Sequence, residues 1–381
     1  MTTADSARSR SLAPLVVPGA IAGAFYILVL TQLLQQFNFN PTGLIRIGDH
    51  FDGSRFTTST TIVRPGPGYD GQFFFYIASE PALRASDPER FLDQPSYRYG
   101  RILYPALSWA LAFGRPAALP WAMLAVNVLA AIAGTIATGV VLRTLRIQPW
   151  AALLFAYNPA MVIGVIGDLA EPVALALLAT GFALYVSGRH RTAGTALAFA
   201  TLAREASAIV SIGFAIDAVR RRASKEVAAY LLPLALPIAW HLSVWYRLGA
   251  LPMAQSPGNF GWPFSGVAYR IGFLLGLRAP IVNEPPVANP WPELTIVAVS
   301  GAAIVVGLVW IVRHRDVFAI QYWLQAAMAV CTTSLVWVGV SSYGRVLGPF
   351  YLACGLAVAA AWKRQSLPWL TTHNMAGRGT M

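Results

Sequence analysis

The stretch ALPWAMLAVNVLAAIAGTIATGVVL, residues 118–142, decides the fold class of this chain. It contains no charged side chain, and as a single helix it is long enough to cross the roughly 30 Å hydrocarbon core of a bilayer. Comparable apolar runs recur at about 14–37, 150–166, 170–187, 193–217, 226–246, 293–312, 317–340 and 346–362. The pattern predicts an all-α, polytopic membrane protein.

The composition points to the same class. The chain has 381 residues, of which 56% are hydrophobic and 12% are charged, whereas soluble domains carry about 25% charged residues. A net charge of +12 would suggest nucleic acid in a soluble protein, but basic residues also collect in the cytoplasmic loops of membrane proteins. We therefore expect a lipid bilayer as partner and no nucleic acid.

Basic clusters between the apolar runs predict the orientation. By the positive-inside rule they face the cytoplasm, together with both termini. The run 193–217 would then begin and end inside, so Arg204 and Glu205 in its middle predict a hairpin of two short helices, or a re-entrant pair, that an ion pair between them could hold. This arrangement gives about ten transmembrane crossings. The clusters lie at 143–146, 189–191, 220–225, 313–315 and 363–364.

The domain organisation follows from these spans. Residues 1–364 are predicted to form one transmembrane domain, and 365–381 a disordered cytoplasmic tail. Residues 38–117 form a long first outer loop, and 247–292 a second outer loop. Structureless loops of that length are uncommon, so the first loop is predicted to contain helices, including an interfacial helix in the short apolar segment 102–114.

Single acids and arginines collect in the segments assigned to the outer face, where an ionisable group at membrane depth indicates a functional site. Asp70 is interpreted either as a general base or as a helix N-cap. Arg98 and Arg101 are phosphate clamps or interfacial arginines whose charged ends reach water. Arg345 begins a predicted helix, where a cation is unfavourable, and this favours a bound anion.

Two further groups leave alternatives open. Asp168 and Glu171 are three residues apart and would share a helix face, either in the site or as acids stabilised by the helix dipole. The run Asp49-His50-Phe51-Asp52 is compatible with a divalent metal ion, but it lacks the second cluster that such a site needs, and no cofactor is firmly predicted. Arg270 is a further candidate for anion binding.

Several of these motifs resemble those of the GT-C superfamily of membrane glycosyltransferases. The resemblance rests on Tyr69-Asp70-Gly71-Gln72-Phe73, followed by Tyr97-Arg98-Tyr99-Gly100-Arg101-Ile102-Leu103-Tyr104-Pro105. Asn158-Pro159-Ala160 leading to Gly167-Asp168-Leu169-Ala170-Glu171-Pro172 is similar to the acid-containing outer turn of that superfamily, and residues 202–207 to its short-helix hairpin. The resemblance covers roughly residues 15–350. It is nearest to the bacterial branch that forms cell-surface glycopolymers, and more distant to the mannosyltransferases of glycolipid-anchor assembly.

The resemblance implies an inverting glycosyltransferase of the bacterial inner membrane. It would move a sugar from a polyprenyl-phosphate donor to a hydroxyl of a glycan or lipid acceptor on the periplasmic face. Asp70 would be the catalytic base, although the single Asp-Gly departs from members with two adjacent acids and leaves Asp49 or Asp168 open as its partner or as the base. The alternative class is a transporter or flippase of a lipid-linked glycan. The implied substrate-binding residues are Tyr69, Gln72, Arg98, Arg101, Asp168, Glu171, Arg204, Glu205, Tyr343 and Arg345.

Overall fold

A computed structural model describes residues 12–84, 87–255, 258–281, 287–311 and 316–366. Apart from one short sheet, its regular elements are helices, in agreement with the predicted all-α class. The sheet pairs two parallel strands, β1 (Ile47–Gly48) and β2 (Val63–Arg64), inside the first loop. The helices are α1 Ala13–Gln35, α2 Thr42–Ile45, α3 Asp70–Ser79, α4 Pro95–Tyr99, α5 Leu103–Leu111, α6 Leu119–Thr144, α7 Leu153–Ala156, α8 Pro159–Ile166, α9 Glu171–Val186, α10 His190–Ala203, α11 Ala208–Arg220, α12 Ser224–Leu231, α13 Ala235–Leu248, α14 Ser265–Leu274, α15 Trp291–Ile311, α16 Val317–Val330, α17 Val340–Val346 and α18 Gly348–Ser366.

The membrane character of the chain rests on the longest apolar helices. Within the described ranges, three helical segments are long and apolar enough to cross a membrane, namely Ala13–Gln35, Pro116–Thr144 and Ser224–Leu248. Two bent pairs, α7 with α8 and α17 with α18, raise the number to five if each pair is one span. The count of ten crossings, and the side of the membrane on which each terminus lies, stay predictions.

The outward faces of these segments are apolar. Ile27 and Leu28 on α1 are each 59% exposed, and Leu129 on α6 and Ile238 on α13 are each 57% exposed. Large apolar side chains exposed on several neighbouring helices are unfavourable in water and mark a surface that another apolar phase covers. This agrees with helices that face lipid.

The interior is divided into two apolar cores. The first lies among the long helices and includes Tyr26, Phe182 and Phe214. The second lies within the first loop and against α6 and α9, and α3 is at its centre. Every residue of α3 from Gly71 to Ala78 is buried, as expected of a helix whose residues in this range, apart from Gln72, are apolar. Residues 38–117 are therefore packed structure that contains helices, and their place outside the membrane stays a prediction.

Two local predictions can be compared with the helix boundaries. The segment 102–114 contains α5, whose Tyr104 and Ser108 are buried while Trp109 is 45% exposed, so the helix has an inner and an outer face. The run 193–217 is divided between α10 and α11, with a break at Arg204, where the backbone is extended. The sequence predicted a hairpin of two short helices, or a re-entrant pair, because the run would begin and end on one side and two charges interrupt it. The side on which the break lies stays a prediction.

Some predictions fall outside the described residues or at their edge. Residues 1–11, 313–315 and 367–381 are among those not described, and these include the first basic residues, one basic cluster and most of the predicted tail. The last helix, α18, continues to Ser366, so the first two residues of the predicted tail are helical and the rest of it lies outside the described residues.

Candidate functional site

The site starts at the N-terminus of α3, where Tyr69 is extended and Asp70 is the first helical residue. Gly71 packs directly against the backbone of the turn between α8 and α9. A Cβ atom on Gly71 would lie 2.6 Å from the carbonyl oxygen of Gly167 and 2.9 Å from that of Ile45. Only glycine allows so close an approach. The Asp-Gly pair therefore fixes Asp70 beside this turn.

Asp70 lies between two arginines that come from distant parts of the chain. Nη1 of Arg98, on α4, is 3.0 Å from Oδ1 of Asp70. Nη1 of Arg345, on α17, is 2.5 Å from Oδ2. Each carboxylate oxygen thus faces one guanidinium group. Three residues that the sequence assigned to one site are in direct contact here.

The two arginines determine the ionisation of Asp70. Burial by itself would raise the pKa of the carboxyl group, but Arg345 and then Arg98 outweigh it and hold the pKa of Asp70 well below its usual range. Opposite charges at hydrogen-bonding distance favour the ionised form. Asp70 is therefore a carboxylate at neutral pH, and its affinity for a proton is low in this state.

Arg98 is held by more than Asp70. Its Nε and Nη2 donate to the two carboxylate oxygens of Asp93, both at 2.7 Å, and its guanidinium lies 4.3 Å from the centre of the Phe73 ring. A bidentate pair of this kind is strong and directional. Sequence reasoning missed Asp93, and its only signal was a carboxylate five residues before the arginine.

Arg345 has fewer contacts. Its guanidinium lies 5.5 Å from the centre of the Tyr69 ring, and its Nη1 is 3.9 Å from Oε1 of Glu171. The buried Nε of Arg345 has no hydrogen-bond partner. Arg345 therefore keeps a free donor in the site while Arg98 has its Nε and Nη2 fixed.

The break between α10 and α11 joins the first loop to α9. Arg204 donates to Oε1 of Glu171 at 2.5 Å, and Glu205 accepts from Nε and Nη2 of Arg101 at 2.9 and 2.7 Å. The expectation that Arg204 and Glu205 pair with each other is wrong. Adjacent residues do not face each other, so each forms its salt bridge with a different segment.

Asp168 is fully buried in the turn behind Gly71 and has a left-handed backbone, with φ of 51°. Its Oδ1 accepts a hydrogen bond from the Tyr104 hydroxyl at 3.3 Å, and Asn127 donates to the same hydroxyl oxygen at 3.1 Å. Its Oδ2 has no partner, and burial raises the pKa of the Asp168 carboxyl group well above its usual value. Asp168 packs against Gly71, whereas Arg98 and Arg345 form their ion pairs with Asp70.

Two other predicted binding residues are engaged in the scaffold. The buried amide of Gln72 accepts from the backbone of Gly48 at 3.0 Å and donates to the carbonyl of Pro67 at 2.6 Å. The ring of Tyr343, on α17, is buried and stacks on Trp337 with 4.7 Å between centroids. Gln72 holds the loop that precedes α3, and Tyr343 holds the helix that carries Arg345.

The acidic run near β1 stabilises local turns. Oδ1 of Asp49 accepts from the backbone of Gly66 at 2.8 Å, and Oδ1 of Asp52 accepts from the hydroxyl of Ser54 at 2.6 Å. His50 packs edge-on against Phe51. Among the described residues, no group of three or more His, Cys, Asp or Glu side chains is placed to hold a metal ion. Arg270, the further candidate, forms a buried bidentate pair with Glu293 at 2.6 and 2.8 Å.

An apolar cavity of about 430 Å³ lies along α18, the helix that follows Arg345. One wall is formed by Leu142 and Phe155, and the other by Tyr351, Gly355 and Trp362. The chain bends by 54° between α17, which carries Arg345, and α18, which carries the second wall of the cavity. The cavity offers apolar surface that begins six residues after Arg345.

No protein-family model matches this chain, and no curated protein matches it in sequence. The structure brings together three features that a function could use. They are a carboxylate between two guanidinium groups, a neighbouring ion pair of Glu171 and Arg204, and an apolar cavity lined in part by α18, the helix that follows Arg345.

Proposed function

We propose that this protein is an inverting glycosyltransferase that uses a sugar carried on a polyprenyl phosphate. The observation that carries the proposal is the position of Asp70 between Arg98 and Arg345. A base for the acceptor and cations for the leaving phosphate are both needed in such a reaction, and they lie within one cluster. The absence of any phosphate-cradling glycine loop in the sequence agrees with a lipid phosphate in place of a nucleotide.

The reaction requires one proton transfer and one substitution at the sugar. Asp70 accepts the proton of the acceptor hydroxyl. At the same time the oxygen of that hydroxyl forms a bond to C1 of the sugar, from the face opposite the phosphate. The bond between C1 and the phosphate oxygen breaks, and its electron pair leaves with the polyprenyl phosphate. Negative charge therefore grows on the phosphate, where preorganised guanidinium groups such as Arg345 stabilise it most.

The lipid part of the donor has a place in the proposal as well. Arg345 lies in the last turn of α17, not at a helix start as the sequence predicted. A phosphate there would lie next to the first residues of α18, and the isoprenoid chain would follow α18 into the cavity lined by Tyr351, Gly355 and Trp362. Apolar surface of this kind suits a hydrocarbon chain. This arrangement would place the sugar toward the first loop, next to Asp70.

The position of the charges favours transfer over transport. Asp70 is the first residue of α3 and Glu171 is the first residue of α9, so both carboxylates lie at helix ends that meet in one place. A transporter is expected to place such groups near the midplane, between repeated halves of the chain. The sequence contains no such repeat.

The test is a transfer assay with the purified full-length protein in detergent and a panel of polyprenyl-phosphate sugars. We expect one donor to give a glycosylated acceptor or, without acceptor, slow release of free sugar. The product should have the anomeric configuration opposite to that of the donor, which NMR spectroscopy measures. Release of nothing from any donor, or a product with the donor's configuration, would contradict the proposal.

A further inference from the structure

The Asp70 carboxylate occupies the position that an anionic ligand would be expected to take. Its two oxygens face Nη1 of Arg98 and Nη1 of Arg345, and a phosphate group presents two oxygens to a pair of guanidinium groups in the same way. The cluster formed by Asp70, Asp93, Glu171 and their partners Arg98, Arg204 and Arg345 is balanced, with three carboxylates and three guanidinium groups. An added anion therefore has no unpaired cation to bind unless one of the carboxylates gives up its partner.

The two arginines differ in how they would respond to the loss of Asp70. Arg98 keeps its bidentate pair with Asp93 and its contact with Phe73, so it would stay in place. Arg345 keeps the Tyr69 ring and the longer contact with Glu171, and its buried Nε has no partner. Arg345 is therefore the guanidinium group that a ligand can take over, because its best partner is Asp70 and a donor is still free.

We infer that Asp70 acts as an internal anion that competes with the lipid phosphate for Arg345, and that binding of the phosphate releases Asp70 from this arginine. The site would thus bind a phosphate monoester or diester by exchange of one anion for another. The inference deepens the proposed function, since the carboxylate released by the donor is the group that serves as base there.

The exchange has a consequence for the timing of catalysis. In the state described here, two arginines lower the pKa of Asp70 and make it a poor base. Loss of the contact with Arg345, and the arrival of a negative phosphate nearby, both favour the protonated form of a carboxyl group. The base would therefore become effective only when a donor is in place.

The experiment measures the affinity of the full-length protein in detergent for a short-chain polyprenyl monophosphate, by calorimetry or thermophoresis. Asp70→Asn removes the competing charge, and we expect the dissociation constant to fall about tenfold or more, because apparent affinity is reduced by the fraction of protein in the competent state. The matched control is Asp93→Asn, which removes a carboxylate from the other side of Arg98. Its affinity should not rise, since Arg345 stays paired with Asp70.

Each result decides the inference. An unchanged or weaker affinity in Asp70→Asn would overturn it, as would an equal gain in Asp93→Asn, which would mean that lower negative charge alone explains the effect. The result of this binding experiment does not depend on the result of the transfer assay. If Asp70→Asn gains affinity while the wild-type protein transfers no sugar, the exchange is supported and the glycosyltransferase proposal fails.

Discussion

Two arginine–carboxylate clusters lie at opposite ends of α9, and they are built in different ways. The site cluster, comprising Asp70, Arg98, Glu171, Arg204 and Arg345, is at the first residue of the helix. The Asp217 cluster, comprising Tyr185, Asp217, Arg220 and Arg221, contacts its last turn through Tyr185. At 1.5 Å per residue the two are roughly 20 Å apart.

The Asp217 cluster is local and complete. Arg220 and Arg221 follow Asp217 by three and four residues, so they reach it along the same helical segment. The hydroxyl of Tyr185 donates to Oδ2 of Asp217 at 2.6 Å. Both arginines are partly exposed, at 44% and 37%. The local sequence and a nearby tyrosine are sufficient to satisfy the buried carboxylate.

The site cluster depends on contacts between distant segments and leaves polar atoms without partners. Its members come from α3, α4, α9, α17 and the break after α10. Buried Nε of Arg345, Oε2 of Glu171 and, behind the cluster, Oδ2 of Asp168 have no hydrogen-bond partner. Buried polar groups are almost always paired, and clusters of perturbed ionisable groups concentrate at functional sites. The Asp217 carboxylate is satisfied by its own neighbours, whereas the unpartnered polar atoms of the site cluster support the proposal that this cluster takes a ligand.

The largest expected contrast is in accessibility from the two sides of the membrane. In a protein whose two native cysteines are replaced, a single cysteine at Ser59 in the first loop should react with an impermeant thiol reagent added outside. A cysteine at Arg222, beside the Asp217 cluster, should react only after the membrane is opened, because basic residues of the connecting loops stay in the cytoplasm. Labelling of the Arg222 position from outside would show that the predicted orientation is wrong.

Asp70→Asn should reduce turnover by about 10²–10⁴, the usual contribution of a general base, because the amide keeps the shape and loses the basic oxygen. The matched variant is Asp217→Asn in the other cluster, whose turnover should stay within about twofold of wild type. Both are measured as donor-saturated rates on protein that elutes as a single species. Equal losses in the two variants would remove the functional distinction between the clusters.

Arg345→Ala should reduce kcat/KM by about 10²–10³, the range observed when one preorganised donor for a developing negative charge is removed. Arg221→Ala, in the Asp217 cluster, is the control and should leave kcat/KM near the wild-type value. Arg345→Lys should recover only part of the loss, since an ammonium group lacks the planar pair of donors. Full recovery with lysine would mean that charge alone matters at this position.

Gly71→Ala tests whether close packing positions the base. The added methyl group would meet two backbone carbonyl oxygens at 2.6 and 2.9 Å, so α3 must shift, at a cost of about 1–3 kcal/mol in the free energy of unfolding. We expect turnover to fall about tenfold with a shift of Asp70, because small displacements of a reacting group are costly. Normal activity in a destabilised Gly71→Ala protein would show that close packing at Gly71 does not position the base.

The smallest effect is expected in the pH dependence. Arg345 and Arg98 lower the pKa of Asp70 in the folded state, so its contribution to stability is complete above the unfolded value of about 3.9 and is lost only as pH falls through the lower folded value. The profile of kcat/KM, which reports groups of the free enzyme, should show no acidic limb from Asp70 between about pH 5 and 8. An inflection in that range that disappears in Asp70→Asn would contradict the ion pairs described here.

Much of the site could be proposed from sequence because charge is conspicuous in an apolar chain. The sequence singles out Asp70 and Arg98 in the first loop, Arg204 in the middle of the run 193–217, and Glu171 and Arg345 at the ends of apolar runs. Their pairing could not be predicted, since partners such as Asp70 and Arg345 are far apart in the chain and side-chain periodicity only predicts neighbours three or four residues away. The sequence suggested Glu205 as the partner of Arg204 only because the two are adjacent, whereas the actual partner is Glu171.

The sequence by itself determined the all-α class, the apolar helices with membrane character, the break at Arg204 and the position of Asp-Gly at the start of a helix, because these depend on local composition and periodicity. Only the tertiary structure decided that Arg98 is anchored by Asp93, that Gln72 and Tyr343 support the scaffold, and that Asp70 lies between two guanidinium groups. Those contacts depend on how the first loop packs against α9 and α17. Packing of distant segments is a property of the whole chain, and no local pattern encodes it.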